Sequence, residues 1–175
     1  MSERPDHVTS APWKAALKSQ FFAAIDMLEN AVRACPARAW ADAAEPVDRQ
    51  FWYLTYHTLF WLDCYLADRE EGFTPPAPFD LGEWDPTGVY PERVYTPEEL
   101  LRYLEHGRRK CRVALAALDD GAAAARCGVP RHDMSVLELH LQSLRHVQHH
   151  TAQLQSLLRQ HTGAAPRWVG RGRDN

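Results

Sequence analysis

The sequence predicts an all-α fold: a single domain over residues 1–175, built as a four-helix bundle with a long connection between the second and third helices. Three observations predict it. Four stretches carry apolar residues at 3-4 spacing, the signature of a helix with one buried face. No strand-like alternation and no repeat of 20–50 residues is present. A proline- and glycine-rich passage without helical period separates the second run from the third.

The first helix is expected over about 10–34, capped at Thr9-Ser10 with Pro12 in its first turn. Leu17, Phe21, Ala24, Ile25, Leu28 and Val32 form its inward face, and Cys35-Pro36 ends it. Pro46 opens the second helix, about 46–69, which carries the aromatic run from Phe51 to Cys64. His57 falls in that run on the apolar side, with Tyr53, Trp61 and Cys64, and is expected to point into the core.

The passage EEGFTPPAPFDLGEWDPTGVYPERVY, residues 70–95, is long for a connection inside a compact domain. Its length permits a crossover. Phe73, Phe79, Trp84 and Tyr90 are expected to pin it to the bundle, and the functional alternative is a wall or lid over a site. Thr96-Pro97-Glu98-Glu99 then starts the third helix, about 97–120, with a capping box and proline at the first helical position. Leu100, Leu104, Gly107, Cys111, Ala114 or Leu115, and Leu118 make its seam, and Gly121 is expected to stop it. Arg108-Arg109-Lys110 with Arg112 reads as a solvated face. Ser135-x-x-Glu138 starts the fourth helix, about 134–161, and the tail 163–175 is expected to be flexible, with only Trp168 to pack.

The fourth helix breaks its own apolar seam. Leu139, Ser143, His146, His150, Gln153 and Leu157 lie along one edge of the arc, so the middle of the seam is polar. Buried imidazole nitrogens need partners, and a metal ion satisfies both histidines at once. The i, i+4 spacing of His146 and His150 lets two rings converge on one ion, and His57 is the candidate third ligand. Three neutral nitrogens leave a divalent ion its charge and open positions, the mark of a catalytic site. Imidazoles suit zinc, nickel, copper or iron, with zinc or nickel expected first.

Gln153 is placed to orient an imidazole, the alternative being a buried amide bonded to a neighbouring helix. Tyr53 and Trp61 either line the pocket or simply pack. His149 is expected in solvent and His140 as a hydrogen-bonded core histidine. Cys64 is a soft ligand, a reactive thiol or inert packing.

Composition excludes several classes. A net charge of −3 and a pI near 6.3 give no basic field for nucleic acid or an anionic membrane. No apolar run reaches the roughly 20 residues that span a bilayer. The four cysteines have no zinc-ribbon or C-x-x-C spacing and the N-terminus lacks an apolar signal segment, so a reduced cytoplasmic chain is expected. There is no P-loop, G-x-G-x-x-G, G-x-S-x-G or H-E-x-x-H, and no di-iron Glu-x-x-His pair.

With His57 in YHTLFW, the proline-rich passage between helices two and three, and H-x-x-x-H-x-x-Q-L at His146, His150, Gln153 and Leu154, the chain resembles the DinB/YfiT-like family of metalloenzymes. Many members carry glycine where this chain has Ala152, a mild difference on a helix. The resemblance implies a bundle with an unusual crossover between helices two and three and a divalent metal on His57, His146 and His150. It also implies a thiol-dependent transferase or isomerase using a low-molecular-weight thiol such as bacillithiol, mycothiol or glutathione, with a small electrophile as partner substrate. The rival readings are a non-catalytic metal-binding stress-response or interaction module and a metal-dependent hydrolase. A homodimer through a bundle face is compatible with such a domain.

Overall fold

The structure, a computed structural model, describes residues 12–172. These form α1 (Pro12–Ala34), α2 (Ala37–Trp40), α3 (Phe51–Leu66), α4 (Pro97–Ala117), α5 (Asp120–Ala124) and α6 (Val136–Thr162). Two single 3-10 turns lie at Val47–Arg49 and Gly82–Trp84. The fold is all-α; among the described residues there are only two isolated bridges, Arg69 with Gly128 and Arg126 with Ser135. Thr9 and Ser10, the expected cap of the first helix, lie outside the described residues.

The four long helices pack as two pairs across two diagonals. Helix α3 lies against α4 and α6, and α1 lies against the same two. Their directions follow from which ends touch. Tyr95, just before α4, meets Trp52 and Tyr56 early in α3 at ring separations of 6.0 and 5.0 Å, while Lys110 late in α4 bonds Asp63 late in α3. Helices α3 and α4 are therefore parallel. The segment from Ala67 to Thr96 must return the full length of α3, about 24 Å at 1.5 Å per residue, which is why so long a connection is needed. Helix α6 runs against α3, since Tyr65 and His57 meet successive turns of it in reverse order.

Much of the core is the set of faces read from the periodicity: Leu17, Phe21, Ile25 and Leu28 of α1, Leu100, Leu104 and Cys111 of α4, and Leu139 of α6 are all buried; further along α6 Leu158 takes the buried place and the expected Leu157 is half-buried. Leu115, not Ala114, takes the last inward position of α4. A Cβ on Gly107 would stand 3.1 Å from Leu62 Cδ2, so this glycine lets α3 and α4 approach closely. The Thr96–Glu99 capping box and the Ser135 cap on Glu138 form as expected, and Gly163 ends α6 in the left-handed conformation at φ 76°.

Several expectations are corrected. The second helix does not start at Pro46. Pro46 opens the 3-10 turn, Gln50 is extended at ψ 146°, and the α-helix begins at Phe51 and ends at Leu66. Gly121 does not stop the third helix: Leu118 turns extended at ψ 116°, and Asp119 caps the short α5, inside which Gly121 lies. The basic run is a solvated face only at Arg109. Arg108 reaches Asp26 and Glu29 of α1 at 2.6 Å each, and Lys110 Nζ contacts Asp63 and sits over the Phe73 ring at 5.2 Å. Trp168 is 69% exposed; the tail meets α1 through its backbone, where Gly170 accepts from Gln20 and Gly172 donates to Ser19.

Candidate metal centre

Antiparallel packing of α3 on α6 puts His57 opposite the turn of α6 that carries His146 and His150. The structure brings all three together, with one ligand atom from each within 4.8 Å of the others. His146 Nε2 lies 3.3 Å from His57 Nε2 and 3.0 Å from His150 Nε2. Bonds of 2.0–2.1 Å to one ion would separate neighbouring nitrogens by about 2.9 Å in an octahedral and about 3.3 Å in a tetrahedral arrangement, so these two spacings fit. His57 is at the rim, 27% exposed at its side chain, and does not point into the deep core as expected.

The outward nitrogens of His57 and His150 are engaged. His57 Nδ1 lies 2.6 Å from Glu83 Oε2, and an ionised carboxylate only accepts, so Nδ1 carries the proton. His150 Nδ1 lies 2.7 Å from Gln153 Oε1 and donates likewise. In neutral rings with these tautomers, the Nε2 atoms of His57 and His150 both present lone pairs to His146. Its single Nε2 donates at most one hydrogen bond between them, so the contacts cannot all be satisfied without a cation. His146 Nδ1 is buried without a partner. Burial, reinforced by the other histidines, pushes His146 down to about 3, and burial pushes His150 down to about 4. Both rings are thus in the neutral state that binds metal.

Glu83 is the residue that sequence reasoning missed. It sits in the 3-10 turn of the crossover with its side chain 5% exposed. Trp61 Nε1 donates to the same Oε2 at 3.2 Å. Burial alone would raise this carboxyl, but the hydrogen bonds it accepts, that of His57 first, hold it below its usual range. Nothing in the run Asp80-Leu-Gly-Glu83-Trp-Asp85 distinguishes Glu83 from its acidic neighbours; the weak signal was the reading of the crossover as a wall over a site.

The other candidates separate clearly. Tyr53 and Trp61 flank His57 at ring separations of 6.3 and 6.4 Å, and Tyr90 from the crossover meets Tyr53 edge-on at 5.1 Å. Beside Gln153 a groove of about 380 Å³ runs along Leu54 and Leu157 toward Asp48. His149 is exposed, as expected. His140 is buried, but as a correction its Nδ1 has no hydrogen-bond partner; the ring lies edge-on to Phe21 at 6.5 Å. Cys64 is buried outside the histidine cluster, and burial pushes its thiol up to about 12, which makes it packing.

Residues 20–154 match the family model of the DinB superfamily. No curated protein and no solved structure matches the chain.

Proposed function

We propose that this chain, which belongs to the DinB superfamily, is a metal-dependent enzyme that holds a divalent ion, zinc or nickel, on His57, His146 and His150 and transfers a low-molecular-weight thiol to small electrophiles. The observation that carries this reading is the meeting of three Nε2 atoms whose lone pairs have no sufficient proton donor.

An ion on neutral ligands keeps its full charge and lowers the pKa of a thiol or water bound to it. The chain's own residues do the rest. Gln153 and Glu83 hold two imidazoles in the metal-binding tautomer from outside. Tyr53 and Trp61 wall the site beside His57 and limit water around the reacting group. The thiol comes from solution, because burial pushes Cys35 and Cys64 up to about 12 and no cysteine belongs to the cluster.

Among the described residues no helix is long and apolar enough to cross a membrane. Four cysteines outside any disulfide suit a reducing cytoplasm, and a homodimer through a bundle face is the assembly we propose for it.

The test is turnover of a fluorogenic bimane electrophile by zinc- or nickel-loaded protein with bacillithiol, mycothiol or glutathione. Thiol-dependent turnover, abolished by chelator and restored by metal, is expected. No acceleration with any of the three thiols would contradict the transferase reading, and hydrolysis without thiol would replace it.

A further inference from the structure

We infer that Glu83 is a positioning residue through which the crossover sets metal affinity: its carboxylate fixes His57, so ion binding and docking of residues 70–95 strengthen each other. This rests on the three-histidine reading proposed above.

The first support is charge. A carboxylate this deeply buried is costly unless compensated. Its hydrogen-bond partners are the ring N–H of His57 and the indole of Trp61, with no lysine or arginine paired to it among the described residues. A divalent ion on the far nitrogen of His57 supplies the missing positive charge through the ring. In return the carboxylate holds the ring with Nε2 toward the ion, and it brings one negative charge to a ligand set that has none.

The second support is how firmly the carboxylate is delivered. Asp80 Oδ1 accepts from Gly82 N at 2.9 Å at the start of the turn. Trp84, the next residue after Glu83, packs on Phe73 and Phe60 at ring separations of 5.4 and 6.1 Å. Glu83 is thus held between an anchored turn and a ring of α3. Since His57 and the crossover share this one contact, anything that tightens it from the metal side tightens it from the loop side by the same free energy.

The experiment measures zinc affinity by competition with a chelating dye for the wild type, E83Q and Trp61→Phe, with melting of the metal-free proteins and hydrogen exchange over residues 70–95 with and without zinc. E83Q removes the charge and keeps the shape. The expected result is roughly a 10–100-fold weaker Kd for E83Q, near-native melting without metal, and slowing of exchange at 70–95 by zinc in the wild type but much less in E83Q. Trp61→Phe removes a donor to Glu83 and shifts Kd in the same direction by less. An E83Q Kd equal to that of the wild type, or a drop in metal-free melting alone, overturns the inference and leaves Glu83 a loop anchor. A wild type that binds neither zinc nor nickel is a different result: it removes the three-histidine reading itself, and this inference with it.

Discussion

Glu83 Oε2 and His57 Nδ1 stand 2.6 Å apart although 26 residues separate them, and this contact ties the crossover to the histidine cluster. His150 has a weaker counterpart on its own helix, the amide of Gln153 at 2.7 Å. His146 has none. The three rings therefore depend on their surroundings to different degrees.

Gln153→Ala removes the acceptor that fixes His150. Zinc affinity is expected to fall about 10-fold, the lower end of what loss of an outer hydrogen bond costs a metal site, because the amide is neutral and exposed. Gln153→Glu keeps an acceptor and adds charge, so its affinity should equal or exceed that of the wild type. Dye competition measures both; an unchanged Kd in Gln153→Ala would show that His150 is held by its helix alone.

His140 makes the metal-free protein sensitive to acid. Burial lowers its pKa in the folded state, while in the unfolded chain it titrates near its ordinary value of about 6.5. Below about pH 6.5 the unfolded state binds the extra proton, so stability falls as pH drops until the folded-state pKa is reached. His140→Phe removes this term and the unpaired Nδ1. Its urea midpoint should fall less than that of the wild type between pH 7 and pH 5; parallel curves would contradict the assignment.

Asp63 clamps the parallel pair α3 and α4. It is buried and accepts from Tyr103 at 3.2 Å and from Lys110 at 2.5 Å. Asp63→Ala strands the ammonium of Lys110 and the Tyr103 hydroxyl. The expected loss is about 2–3 kcal/mol, less than the roughly 3–5 of a fully buried pair because Lys110 keeps some solvent access. Urea unfolding reads it, and a loss under about 0.5 kcal/mol would mean that the pair is solvated.

Much of this architecture is legible in the sequence because helices announce their buried faces. The apolar faces of α1, α4 and α6 and the caps at Thr96 and Ser135 follow from residue type and 3.6-residue spacing. The polar gap at Ser143, His146 and His150 is legible for the same reason, since a seam that turns polar needs an explanation. Contacts between elements are not written in local period. Arg108 and Lys110 look like surface charges until α1 and α3 bring Asp26, Glu29 and Asp63 to them. Glu83 is hidden more deeply, in a segment with neither helical nor strand period, where only the folded path of the crossover selects it from Asp80 and Asp85. The aromatic richness of α3 hid only how deep His57 sits, because a helix apolar nearly all round gives no clear inward direction.

The central claim is that two distant helices share one ion. The measurement that tests it most directly is metal content by mass spectrometry on untagged protein purified without a metal-affinity column, for the wild type, His57→Ala and His150→Ala. The account predicts close to one ion per chain in the wild type and loss in both variants, with helical content retained. A wild type without metal that takes up neither added zinc nor added nickel would contradict it.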